Sequence, residues 1–274
     1  MLLVPPSPPA RFLGSGWVQV RQGPDGGTIW RGMIPNRAVP QTRRPTLVYL
    51  PPSASDRARY RVIVLLQGFP GGPYSFADGL QLAGAADLLI AAHASPPFAA
   101  VMPPAGPTPW FHGEWTGPWE RFLVRDVMRW ADTHLPIAAN RRLRTIAGLS
   151  AGGYGALDVA LRHPALFGTV EAWSGSFDAP RDGSLRGAGP AVRAAHDPTL
   201  LVQREAPLLR RLGTRFFLSC GVTHDRVIAA ATRRFSGLLA GLRLEHRLWL
   251  GPGGHDGRFW RSQLIPALEY ALRR

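Results

Sequence analysis

Gly148-Leu149-Ser150-Ala151-Gly152 stands between an apolar run, Leu143 to Leu149, and a stretch of helical character, Ala151 to His163. A strand that empties through a serine into a helix is a place for a nucleophile. The hydroxyl is a poor attacking group until a base removes its proton, and a tight strand-to-helix turn can hold Oγ exposed beside such a base. The flanking glycines relieve the crowding that the turn creates. Alone, the pentapeptide also reads as an ordinary Gly/Ser turn; its force comes from what lies around it.

Outward from this turn, strand and helix signals alternate. Val18 to Arg21, Thr28 to Ile34 and Thr46 to Leu50 read as strands separated by turns such as Pro24-Asp25-Gly26-Gly27, an antiparallel entry to a sheet. Arg61 to Leu66 is a continuous apolar run, the mark of a strand covered on both faces, and it ends in Gln67-Gly68-Phe69-Pro70-Gly71-Gly72. Phe98 to Met102, Gly168 to Trp173, Arg215 to Cys220 and Leu244 to Leu250 are further strands. Between Trp119 and Leu135, apolar residues recur at three- and four-residue steps, an amphipathic helix ended by Pro136. Helices are also expected from Arg226 to Leu242 and from Phe259 to Arg273. The alternation predicts an α/β fold, a mainly parallel central sheet with helices on both faces. Residues 1–16 form a proline-rich tail, and residues 17–274 one α/β domain; the stretch 176–212, irregular before a short helix, is either a cap over the site or a surface excursion.

In such a sheet reactive groups collect on loops at the carboxyl ends of strands. One candidate loop is Gly221-Val222-Thr223-His224-Asp225 and another is Gly251-Pro252-Gly253-Gly254-His255-Asp256. With the pentapeptide they supply nucleophile, acid and histidine in chain order: Ser150 to attack, His255 as base, and Asp225 to orient the imidazole and stabilise its cation. His93, His112, His134, His163, His196, His224 and His246 compete for the base, but His255 follows the last strand in a glycine-rich turn. Asp256 is adjacent to the histidine and points elsewhere, while Asp178 is the reserve acid.

A developing oxyanion needs preorganised N–H donors. The backbone N–H of Ala151 is one, and the Gly-rich loop offers that of Phe69 as the other. Trp110-Phe111-His112-Gly113-Glu114-Trp115 is the densest aromatic patch, which makes Trp110, Phe111 and Trp115 candidates for the substrate-pocket wall.

Composition bounds the partners. The net charge of +14 suggests polyanions, yet there is no lysine, and the 32 basic residues are arginines spread along the chain without a basic run. No nucleic-acid partner is expected. Cys220 is the only cysteine, which excludes an internal disulfide and any cysteine metal cluster, and nothing calls for a cofactor or metal. The start lacks the apolar core of a secretory signal, and no stretch reaches the roughly 20 apolar residues of a membrane span. The chain therefore reads as cytoplasmic, or as exported if the proline-rich start once followed an upstream anchor.

These residues resemble the esterase group of the α/β-hydrolase superfamily, which includes S-formylglutathione hydrolases, feruloyl and acetylxylan esterases, enterochelin esterase-like proteins and mycolyltransferases. The resemblance covers about residues 46–272. It rests on Val48-Tyr49-Leu50-Pro51, Leu65-Leu66-Gln67-Gly68, the nucleophile motif extended to Ala156, His163-Pro164 with Phe167, and Gly254-His255-Asp256 with Trp260. It implies the α/β-hydrolase fold, a Ser150–Asp225–His255 triad, and Phe69 and Ala151 as oxyanion donors. Many members have His-Gly where this chain has Gln67-Gly68. The activity it implies is a serine esterase acting on a small-molecule or glycosyl ester. Acyl transfer to a sugar or alcohol is the alternative, and a catalytically silent binding module the reading from another class.

Overall fold

A computed structural model describes residues 10–108, 114–175, 177, 185 and 188–273. Its strands are β1 (Val18–Gln22), β2 (Thr28–Gly32), β3 (Thr46–Leu50), β4 (Arg61–Leu66), β5 (Phe98–Met102), β6 (Arg144–Leu149), β7 (Thr169–Trp173), β8 (Arg215–Gly221) and β9 (Glu245–Gly251). They form one sheet in the order β1-β2-β3-β5-β4-β6-β7-β8-β9. The first three strands enter antiparallel, β3 pairs antiparallel with β5, and from β5 to β9 every pairing is parallel. Central strands β5, β6 and β7 are buried along their whole length, as expected of apolar runs covered on both faces. β1, with Gln19, Arg21 and Gln22, is an exposed edge.

The helices are α1 (Ala10–Leu13), α2 (Leu82–Ala91), α3 (Pro118–Arg121), α4 (Met128–His134), α5 (Ala151–Arg162), α6 (Pro190–His196), α7 (Pro198–Leu212), α8 (Arg226–Gly241) and α9 (Gly257–Leu272). On one face of the sheet α2 and α9 bury Leu82, Ala86, Leu264 and Leu268 against Ile63, Leu65 and Phe217. On the other, α5, α7, α8 and the helical stretch 118–134 bury Leu157, Leu201, Phe235 and Leu123 against Val62, Val64, Ile146 and Val170.

Three elements differ from the sequence reading. The helix expected from Trp119 to Leu135 is interrupted by a π-helical stretch, Phe122–Val127, between α3 and α4. Helix α2 carries no sequence signal, because Leu82 to Ala91 is apolar almost throughout and lacks a polar face. Its one acid, Asp87, is fully buried and accepts hydrogen bonds from the Tyr49 hydroxyl and the N–H groups of Asp25 and Gly27. In the stretch read as cap or surface excursion, residues 198–212 are neither. They form α7, with Leu201, Val202, Ala206 and Leu209 buried in the core. The short helix expected at the end of this stretch is thus a 15-residue core helix, and Pro198 occupies its tolerated N-terminal turn behind an Asp197 cap.

The topology positions the site. The chain leaves β4 for β5 on one side, then returns to β6 on the other, so the loops after β4 and β6 diverge. A crevice at the carboxyl ends of the two strands results, the place where open α/β sheets bind ligands.

Candidate active site

Ser150 occupies the turn between β6 and α5 with φ 56° and ψ −120°, a left-sided conformation that a residue bearing Cβ rarely adopts. Its N–H donates to the Trp173 carbonyl at 2.8 Å, so β7 holds the turn in place. The turn is possible because its glycines are crowded by backbone. A Cβ on Gly148 would lie 2.1 Å from the Gly152 carbonyl oxygen, and one on Gly152 would lie 1.9 Å from that of Leu66.

The loops after β8 and β9 are laced together. The N–H of Val222 donates to the Gly251 carbonyl at 3.0 Å, that of Thr223 to the Gly253 carbonyl at 2.9 Å, and that of Gly253 to the Thr223 hydroxyl at 3.1 Å. This brings His255 between two other side chains. Its Nδ1 is 2.9 Å from Asp225 Oδ2, and its Nε2 is 2.8 Å from Ser150 Oγ. An ionised carboxylate only accepts, so Nδ1 carries the proton and Nε2 is left to accept from the serine hydroxyl.

Asp225 and Asp256 both stand at helix N-caps and use them oppositely. Asp256 caps α9, accepting the N–H groups of Arg258 and Phe259 at 2.9 and 3.0 Å. These bonds, Phe259 first, hold its carboxyl below the ordinary range. Asp225 makes no side-chain cap bond to α8, and its carboxylate turns to His255 instead. His163, His196 and His246 are engaged elsewhere, with Glu120, Asp158 and Ser236. Behind Asp225, burial and then the Asp225 charge push the Cys220 thiol up to about 11, so it stays protonated at neutral pH and offers no thiolate.

The Gly-rich loop passes directly over the serine: a Cβ on Gly68 would lie 2.8 Å from Ser150 Cβ. The loop is anchored from below. The buried Gln67 amide is oriented to donate to the Pro103 carbonyl at 3.0 Å and accept from the Ala105 N–H at 2.8 Å. Trp115 donates from Nε1 to the Gln67 carbonyl at 3.0 Å. That corrects the reading of Trp115 as pocket wall. It is 1% exposed, packed where a Gly155 Cβ would be, and supports the loop from the interior. Trp110, Phe111 and Asp178 lie outside the described residues.

A cavity of about 390 Å³ opens beside Ser150 and His255. Phe69, Leu80, Leu149 and Trp260 give it apolar walls, and Gly79 and Gly257 keep them open. Ala151 begins α5, whose first N–H groups have no intrahelical acceptor. Of the two aromatic residues after His255, Phe259 is buried against Trp249, while Trp260 stands nearly perpendicular to the imidazole, 5.1 Å between centroids. Trp260 Nε1 also donates to Ser174 Oγ at 3.2 Å. Leu80 and Ser174 carry no sequence signal, because only chain packing brings Leu80 to the cavity and Ser174 to Trp260.

A nine-stranded, mainly parallel sheet with helices on both faces and a serine on the strained turn after β6 defines a protein of the α/β-hydrolase fold. The chain belongs to the "Putative esterase" family, whose pattern matches residues 38–271. It is similar to Esterase Rv1288 of Mycobacterium tuberculosis, 26% identical over a 227-residue alignment that covers 72% of this chain and 48% of that protein. The chain thus spans about half the length of that relative. Among solved structures, a ferulic acid esterase superposes with TM-score 0.78 at 22% identity, covering 90% of this chain and 98% of the other. An S-formylglutathione hydrolase from Agrobacterium tumefaciens superposes with TM-score 0.73 at 18% identity, covering 94% and 98%. Likenesses at these identities establish the shared fold.

Proposed function

We propose that this protein is a serine esterase that cleaves carboxylic esters through an acyl-Ser150 intermediate. The observation that carries the reading is the hydrogen-bonded line from Ser150 Oγ through His255 to Asp225, at 2.8 and 2.9 Å, beside an apolar cavity. His255 Nε2 takes the hydroxyl proton as Oγ attacks the ester carbonyl, and the same proton goes to the departing alkoxide. Asp225 holds the imidazole and stabilises the cation that forms between these transfers. The N–H groups of Ala151 and Phe69 meet the oxyanion; each such donor is worth on the order of 3 kcal/mol of transition-state stabilisation. Water, deprotonated by His255, then releases the acid.

The cavity walls suit an uncharged acyl group. Turnover of p-nitrophenyl esters of increasing chain length, together with labelling by a fluorophosphonate, tests the reading. Wild type should turn over short and medium esters and take up one label, and Ser150→Ala should do neither. If wild type shows no turnover and no label, the esterase reading is wrong. Adding a sugar or alcohol acceptor and analysing products separates hydrolysis from acyl transfer.

A further inference from the structure

A second cleft, of about 930 Å³, lies between the helical stretch 118–134 and the loop after β2, and shares no lining residue with the cavity at Ser150. Four guanidinium groups line it: Arg121, Arg125 and Arg129 from the helix and Arg37 from the loop. The helix arginines recur at four-residue steps through the π-helical stretch, and all three line the same cleft. Trp130 contributes an apolar wall, its ring stacked between Trp17 and His134 at 4.9 and 5.2 Å. Asp126 ties the loop to the helix, its Oδ2 accepting the backbone N–H groups of Arg37 and Ala38 at 2.9 and 3.3 Å.

With 32 arginines, exposed guanidinium groups are expected in this chain. Several elsewhere meet carboxylates: Arg21 with Asp78, Arg204 with Glu205, and Arg273 with Glu245. In the cleft, by contrast, none of the four arginine side chains has an ion pair or hydrogen bond among the described residues. Among the described residues the one carboxylate lining it is that of Asp126, whose Oδ2 is engaged with the backbone. Four cations facing one concave space repel each other and focus a positive potential into it, which a bound anion relieves.

We propose that this cleft binds an oligophosphate, either free or as a phosphorylated lipid headgroup. The guanidinium fork matches phosphate oxygens two at a time, which favours phosphate over a single point anion. The four cations line a cleft of about 930 Å³, far larger than a single phosphate, so a chain of phosphates can meet more of them than one phosphate does. The site is independent of Ser150 chemistry.

Calorimetric titration with inorganic tripolyphosphate at about 0.15 M salt tests it, with orthophosphate as the short comparator. A sedimentation arm uses phosphatidylglycerol vesicles carrying a polyphosphorylated inositol lipid. Saturable 1:1 tripolyphosphate binding, at least about tenfold tighter than orthophosphate, is expected for a free ligand; sedimentation with the vesicles identifies a headgroup instead. Arg121→Gln with Arg125→Gln should weaken either by about tenfold or more, while Arg233→Gln with Arg234→Gln on α8 should not. Ester turnover and melting temperature of both double variants should match wild type, which keeps this test apart from that of the esterase reading. Absence of saturable binding in both arms, or equal loss in the two double variants, overturns the proposal.

Discussion

Gly152 in α5 and Leu66 at the end of β4 meet backbone to backbone, with the place of a missing Cβ only 1.9 Å from the Leu66 carbonyl oxygen. This contact brings the nucleophile turn and the Gly-rich loop to one spot. Gly152→Ala should therefore force the helix from the strand, at a cost of about 3 kcal/mol, and displace Ser150. Urea unfolding and ester turnover check this; a variant with wild-type midpoint and activity would show that the contact is soft.

The two aspartates at helix N-caps should separate cleanly on mutation. Asp225→Asn removes the charge facing His255 and lets an amide N–H donate to Nδ1, which moves the imidazole proton to Nε2 where it can no longer accept from Ser150, and kcat should drop on the order of 10⁴-fold with little loss of stability. Asp256→Ala removes the α9 cap and should cost about 1 kcal/mol while most turnover survives. Steady-state kinetics and thermal melts on both variants decide. Full activity in Asp225→Asn would overturn its role, and Asp178→Asn would then be the variant to make.

Trp260 links His255 to the end of β7 through a T-shaped ring contact with His255 and a bond to Ser174. Trp260→Ala frees the imidazole to leave the line to Ser150 Oγ, and kcat should fall by about tenfold or more. Trp260→Phe keeps an aromatic ring and should restore most of kcat. If both variants behave alike, the ring serves only to fill the cavity wall.

Glu171 on β7 is fully buried, and burial raises its carboxyl well above the ordinary 4.5, against the opposing effects of the Trp173 N–H bond and the Arg215 charge. The folded protein thus holds a proton that the unfolded chain releases. Stability from this group is present below 4.5 and is lost as pH rises from there towards the folded value. Glu171→Gln keeps an acceptor for Trp173 and removes the titration, so its melting temperature should gain on wild type as pH rises. Parallel curves for the two proteins across the acidic and neutral range would contradict this.

Much of this molecule is legible along the chain. Apolar runs such as Arg61 to Leu66 and Phe98 to Met102 coincide with β4 and β5, because a strand buried on both faces must be apolar throughout. Ser150 is legible because its turn demands glycines on either side. Asp225 and His255 are legible as residues at strand ends. Helix α2 is not, since an almost wholly apolar helix has no periodic face to read. Trp115 is misleading, since an aromatic patch in sequence does not show which rings face a cavity.

By itself, then, the sequence determined the strand-and-helix alternation, the nucleophile turn and the chain order of the candidate groups, all of which follow from local periodicity and backbone sterics. Only the tertiary structure decided which aspartate faces His255, that Trp115 supports the loop rather than the pocket, and that Leu80 and Trp260 line the cavity with Ser174 held behind Trp260. Arg37 likewise joins Arg121, Arg125 and Arg129 across more than eighty residues of chain. These relations join segments distant in sequence. They depend on how the chain reverses direction across β4 and on which way each side chain leaves its element, and neither is written in any local stretch of residues.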